Sequence, residues 1–185
     1  VANDGTYWIA GSTASAADFP IVGELPRGSG TGAGDIFVAH INPFNVGVES
    51  VIYAAFIGGS GRDEARGIAI EPSGMVAIVG ATASADFPIV GSYDAELTGG
   101  RDAVIIRVDD RRSGADALVY TTFLGGGDEE YGNAIAVDAA GQLYVTGYTR
   151  SENFPVTSNP LQAVRQGGYE AFISRINPDA GASGL

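Results

Sequence analysis

A unit of 67–68 residues recurs three times along this 185-residue chain, and the recurrence restricts the fold more than any other feature. Its markers are Ala17-Asp18-Phe19-Pro20-Ile21-Val22, Ala85-Asp86-Phe87-Pro88-Ile89-Val90 and Glu152-Asn153-Phe154-Pro155-Val156. Phe19 and Phe87 are 68 residues apart, and Phe87 and Phe154 are 67 apart. Gly11, Gly80 and Gly147 keep the step, as do Asp35, Asp102 and Glu170, and the pairs Gly58-Gly59 and Gly125-Gly126. A chain of this kind buries the apolar face of each unit against its neighbours, so no unit is expected to stand alone.

Within the middle unit, four short apolar runs lie between turn signals, at 67–70, 75–80, 103–108 and 117–124. They are rich in β-branched and aromatic residues and too short for core helices, which predicts strands. The first two are joined by Pro72-Ser73-Gly74, matched by Ala139-Ala140-Gly141, a hairpin-length link with glycine available for positive φ. The last two are joined through Asp109-Asp110, matched by Asn42-Pro43 and Asn177-Pro178, again turn chemistry. Four consecutive antiparallel strands make a meander, and a meander repeated radially is a propeller blade. The prediction is an all-β, β-propeller-like array of four-stranded antiparallel blades, with units at 1–60, 61–127 and 128–185. The first lacks most of its first strand and the third lacks its last, leaving ten strands, or about two and a half to three blades. Propellers close with roughly four to eight blades, so an open or partial set exposes sheet edges and apolar faces. The expectation is an excerpt of a longer propeller, or open ends capped by other chains.

Several stretches resemble a known family. They are Tyr120-Thr121-Thr122-Phe123-Leu124-Gly125-Gly126, Tyr131-Gly132-Asn133-Ala134-Ile135-Ala136-Val137-Asp138 and Gly141-Gln142-Leu143-Tyr144-Val145-Thr146-Gly147-Tyr148-Thr149. Asn153-Phe154-Pro155 and Gly167-Gly168-Tyr169-Glu170-Ala171-Phe172-Ile173 continue the pattern. Together they are similar to the SBBP repeat, a seven-bladed β-propeller repeat found mostly in large exported bacterial and archaeal proteins. The resemblance implies a propeller fold and an extracellular or cell-surface location. It implies no single activity and no catalytic set.

Composition narrows the partners. Ten Lys and Arg against 22 Asp and Glu leave a net charge of −12, a poor match for nucleic acid, whose phosphates call for basic side chains. No stretch approaches the roughly 18 apolar residues of a membrane span, and no membrane insertion is expected. Cysteine is absent, which removes disulfides, thiolate chemistry and Cys-based zinc sites. The chain begins at Val1 and not at Met, and a mature or trimmed form is the expectation.

Strands of a meander alternate in direction. The connection from second to third strand (81–101 in the middle unit) and the one from each blade to the next therefore emerge at the same end. Long loops on a rigid scaffold are where binding concentrates, so a ligand is expected at this end. Its blade-to-blade loops carry Asp63 and Glu64, then Asp128, Glu129 and Glu130. Clustered carboxylates are candidate Ca²⁺ ligands, since that ion takes six to eight oxygens. The competing reading has them accepting backbone N–H bonds or pairing with Arg62 and Arg66; no cofactor is otherwise expected. Phe19, Phe87 and Phe154 are candidate sugar-stacking rings, or else plugs folding the long insert onto its blade, with proline setting the bend. Tyr93 and Asp94 are candidates for exposed contacts. His40, the only histidine, aligns with Arg107 and Arg175 and is expected to face solvent at a strand end; Trp8 is expected in the blade core.

These residues lead to a non-catalytic structural or interaction module of an exported or cell-surface protein. It would act through protein–protein contacts at its open edges and loop face, its partners being other chains or further blades of the same polypeptide. The alternative is a lectin-like, carbohydrate-binding propeller with glycan partners. A hydrolase or lyase is a third reading, and it lacks a recognisable nucleophile, cofactor loop or metal box.

Overall fold

The computed structural model describes residues 1–14, 19–26 and 34–185. Ala17 and Asp18 of the first Phe-Pro element lie outside the described residues. Among the described residues, ten strands form three separate antiparallel sheets that do not close into a ring. The first holds β1 (Tyr7–Thr13), β2 (Asp35–Ile41) and β3 (Val51–Ile57). The second is the full meander β4 (Asp63–Ile70), β5 (Val76–Thr82), β6 (Asp102–Val108) and β7 (Leu118–Leu124). The third holds β8 (Glu130–Val137), β9 (Leu143–Thr149) and β10 (Glu170–Ile176).

The all-β, four-stranded blade predicted from the repeat is therefore present, with two local differences. Asp63–Arg66 belong to β4, although three of the four are charged and so escape an apolar criterion. The links expected as simple turns wind into 3₁₀ turns at Gly47–Ser50, Gly114–Ala117 and Pro178–Ser183. Gly47 (φ 64°) and Gly114 (φ 59°) open the first two in the left-handed region that glycine tolerates, and Ala117 lies in the turn instead of β7.

The recurrent glycine of β5, and that of β9, answers a bulge in the strand before it. Pairing of β4 with β5 steps from Ala65↔Gly80 to Gly67↔Val79, leaving Arg66 without an opposite residue. Pairing of β8 with β9 repeats the step around Asn133, beside Gly147. The bulge presses a carbonyl onto the glycine. A Cβ built at Gly80 would sit 1.7 Å from the Glu64 oxygen, and one at Gly147 would sit 1.9 Å from the Tyr131 oxygen.

Two cores lie between the sheets. Trp8, Ile36, Val38, Tyr53 and Ile57 of the first sheet pack with Ile78, Val104, Ile106 and Phe123 of the second. On its other side the second sheet offers Ala77, Val79, Ala103, Ile105, Tyr120 and Leu124 to Leu143, Val145, Phe172 and Ile176 of the third. Covered on both faces, β5 and β6 are buried throughout. β9 and β10 are not: their burial alternates, the period of a sheet covered on one side. Ile105 is 0% exposed, and Ile173, the same position one unit on, is 83% exposed.

Candidate functional site: the loop end and the open side of the third blade

The blade-to-blade loops and the long inserts do gather at one end. Asp63 N–H donates to the Gly34 carbonyl (2.9 Å), Ala83 N–H to Arg62 (3.0 Å), Glu130 N–H to Arg101 (2.8 Å) and Arg150 N–H to Glu129 (2.9 Å). Side chains from the Phe-Pro elements tie these loops down. Asp86 Oδ1 accepts from Ser60 N–H (2.7 Å), and Asn153 Oδ1 from Gly127 N–H (2.8 Å). Ser84 and Ser151 hydroxyls accept from Gly61 and Asp128 N–H, both at 2.8 Å.

The five candidate calcium ligands are taken up by this construction rather than gathered into an oxygen cage. Asp63 and Glu130 are fully buried. Asp63 accepts from Gly59 N–H (2.8 Å) and from the Thr82 and Ser84 hydroxyls. Glu130 repeats the pattern with Gly126 N–H (2.8 Å), the Thr149 hydroxyl (2.5 Å) and Ser151 N–H (3.2 Å). Burial pushes the Asp63 carboxyl above its ordinary range. Glu64 faces Arg62 (2.7 Å), Arg66 (3.1 Å) and Arg101 (3.7 Å); burial opposes its charge, but these guanidiniums hold its carboxyl below the usual range. Asp128 and Glu129 pair with Arg150 at 3.9 and 3.5 Å. Among the described residues, no three histidine or carboxylate side chains converge as a metal site would need.

The three phenylalanines do not form a row of open rings. Phe87 is 3% exposed, within the core between the first two blades, and meets Phe123 edge-on at 6.5 Å. Phe154 stacks on Phe172 at 4.7 Å, and Phe19 lies between Phe37 (5.0 Å) and Phe56 (4.9 Å). Phe19 and Phe154 are half-buried. A ring wedged this way offers little or no face to a sugar, and the geometry is that of a plug. Tyr93 and Asp94, expected as exposed contacts, are half-buried instead. Tyr93 packs on the core between the second and third blades. Asp94 clamps the outer edge of β7, its carbonyl accepting from Phe123 N–H (3.1 Å) and its N–H donating to the Thr122 hydroxyl (2.8 Å).

His40 does not face solvent as its strand-end position suggested. Its Nδ1 lies 2.7 Å from Asp110 Oδ2 and its Nε2 2.8 Å from Thr6 Oγ1, with Trp8 stacked on the ring at 4.4 Å. Thr6, His40 and Asp110 have the connectivity of a nucleophile, base and acid, yet Thr6 is buried and its hydroxyl is also 2.6 Å from Asp4 Oδ1. The arrangement recurs with other chemistry. Arg107, aligned with His40, forks onto Glu71 (2.6 and 2.8 Å) and reaches Asp179 of the third blade at 3.1 Å. His40 and Arg107 thus each meet an acid that follows the third strand of the next blade. Arg175, the third in the series, is exposed on the open side with Tyr144, Thr146, Ala171 and Ile173.

Sequence reasoning missed a tyrosine cluster at the loop end of that same side. Tyr131 and Tyr148 stack at 4.9 Å, and Tyr169, 61% exposed, meets Tyr148 edge-on at 5.4 Å. Arg66 and Arg101 lie 4.4 and 5.1 Å from the Tyr131 ring centre, and Arg150 lies 5.3 Å from that of Tyr169, cation–π distances. The three tyrosines have no repeated counterparts, so a search for repetition could not find them.

Beside β10 runs a groove of about 630 Å³ between that strand and the insert at 155–165, with Leu185 at one end. Among the described residues β10 pairs only with β9, so its other edge forms a wall of this groove.

No curated protein matches the chain. A family model described as the SBBP β-propeller repeat matches residues 119–155. The match runs along β7, β8 and β9 and ends at Pro155, beside the plug residue Phe154, so it joins the last strand of one blade to the first two of the next. The stretch 119–155 is accordingly an SBBP β-propeller repeat, set in three unclosed blades of one pattern.

Proposed function

We propose that this chain is a non-catalytic interaction module of an exported or cell-surface propeller protein, working through protein contacts on the open side of its third blade. The observation that carries the reading is the contrast between Ile105, sealed beneath the next blade, and Ile173, open at the same position. Apolar side chains in a row on one sheet face favour a protein partner. Arg175 adds selectivity, because its counterparts His40 and Arg107 each meet an acid across the blade boundary. The location outside the cytoplasm rests on the family resemblance.

Sedimentation velocity over a concentration series tests the reading with the chain and its Ile173→Glu variant. Association of the parent chain, lost in the variant, is the expected result. A parent chain that stays monomeric throughout counts against the open face as a contact surface. Glycan binding is the second reading, moved from the phenylalanines to Tyr148 and Tyr169, where one ring is 61% exposed beside Arg150.

A further inference from the structure

We propose that Arg62, Arg66 and Arg101 form an oxyanion site at the loop end of the second blade, shaped for a carboxylate or sulfate group. Three guanidiniums converge there on one carboxylate, that of Glu64, at 2.7, 3.1 and 3.7 Å. The cluster keeps two positive charges in excess, in a chain whose net charge is −12. Asp128 and Glu129, in the next blade-to-blade loop, face Arg150 instead. Glu64 and its three arginines belong to the second blade, which packs against a neighbour on either side. The inference therefore stands apart from the open-face reading.

The backbone beneath these side chains is fixed. Arg62 bridges Gly34 of the first blade, and its carbonyl accepts from Ala83 N–H at 3.0 Å. Arg101 bridges Glu129 at the start of the third, and its carbonyl accepts from Glu130 N–H at 2.8 Å. Arg66, turned out of its ladder by the β4 bulge, is held by Asn133 Oδ1 (3.0 Å) and by the Tyr131 ring face (4.4 Å). Arg101 Nη1 donates to the Tyr131 hydroxyl at 3.0 Å. Side-chain exposure rises from 18% at Arg101 through 31% at Arg66 to 61% at Arg62. A ligand arriving from solvent thus meets Arg62 first, with the other two deeper. Each guanidinium carries five N–H donors in a rigid fork, more in total than Glu64, Asn133 and Tyr131 can accept. That fork matches the paired oxygens of a carboxylate or a tetrahedral oxyanion.

The blade does not require the arginines. At the equivalent positions the third blade carries Glu129, Asn133 and Tyr169, with Tyr131 in place of Glu64, and it forms the same bulge and the same pairing. The residues that build the loop end repeat instead. Asp63 and Glu130, Ser84 and Ser151, Asp86 and Asn153 make the same bonds in both blades. Side chains that depart from the repeat while the scaffold keeps to it mark a site grafted on that scaffold. An ion-pair network serving stability alone would balance its charges, and this one sets three cations around one anion.

The test titrates the 185-residue chain with sodium sulfate, sodium glucuronate and glucose at constant ionic strength, reading the arginine side-chain N–H resonances by NMR. Saturable shifts with sulfate or glucuronate, confined to Arg62, Arg66 and Arg101, are expected, with none from glucose. Arg62→Gln should weaken binding about fivefold or more. Arg111, also 61% exposed but in the turn at the opposite end, provides the control: Arg111→Gln removes the same charge and should leave binding unchanged. Arg101→Lys keeps the charge but loses the fork, and should weaken binding as well. Tighter binding of glucuronate than of sulfate assigns the site to a sugar-borne carboxylate, and the reverse to a free tetrahedral ion; both uphold it. Shifts that never saturate, that spread over all the arginines, that also come with glucose, or that fall equally in Arg62→Gln and Arg111→Gln overturn the proposal.

Discussion

Arg66 donates from Nη1 to Asn133 Oδ1 across 3.0 Å, and the two residues are the same bulge position one blade apart. The bulges swing these side chains out of their ladders, letting successive first strands bond to one another. The same distortion forces glycine onto the neighbouring strand.

Gly80→Ala should therefore be severely destabilising, because the clash is with backbone and no side chain can yield. A loss of about 3 kcal/mol is expected. Gly100→Ala, where an added Cβ meets nothing within 4 Å, should change stability by no more than about 0.5 kcal/mol. Urea unfolding of the two variants checks the contrast; similar midpoints would refute the role given to the bulge.

Arg107 and Glu71 form a two-pronged ion pair whose side chains are 7% and 2% exposed. Removing Glu71 leaves the buried Arg107 only the exposed Asp179 as a partner, so Glu71→Ala should cost about 3 kcal/mol. The double variant Arg107→Met, Glu71→Leu should lose much less, since no charge is left uncompensated. Denaturant melts of the three proteins decide this, and additive losses would go against it.

Asp110→Ala removes the carboxylate that holds His40 across the boundary of the first two blades. Both side chains are 14% exposed, so the cost should be smaller than at Glu71, about 1–3 kcal/mol. His40→Ala should then cost less in that background than in the parent chain, because only its Thr6 bond and Trp8 stacking remain to be lost. A cycle of thermal melts tests the coupling, and full additivity would show that the two residues act separately.

Asp102 is buried among the loop glycines. Desolvation, with the nearby Glu130 charge adding to it, pushes its carboxyl up to about 6. The folded chain thus binds this proton more tightly than the unfolded chain. The stability contributed is complete below about pH 4 and is lost as pH rises through about 6. Asp102→Asn should flatten the fall in Tm across that window relative to the parent chain. Parallel Tm profiles for the two proteins would remove Asp102 as the source.

Much of the fold was legible because repetition compares the chain with itself. Val104 and Phe172 are apolar at one strand position, Gly80 and Gly147 are invariant at another, and both regularities survive into the sheets. The candidate site was less legible. Asp63 and Glu64 are adjacent in sequence, but alternation along β4 sends one into a buried hydrogen-bond network and the other among arginines. His40 read as a surface residue because Asp110 is 70 residues away.

The amino-acid sequence by itself determined the ten strands, their antiparallel order and the end at which the long loops gather. Each of these follows from short-range periodicity and turn chemistry. Only the tertiary structure decided which faces are covered. Ile105 and Ile173 are the same residue in the same repeat position, and nothing local distinguishes them. One is sealed beneath a neighbouring sheet and the other is not, because burial belongs to the packing of whole blades and not to any strand alone.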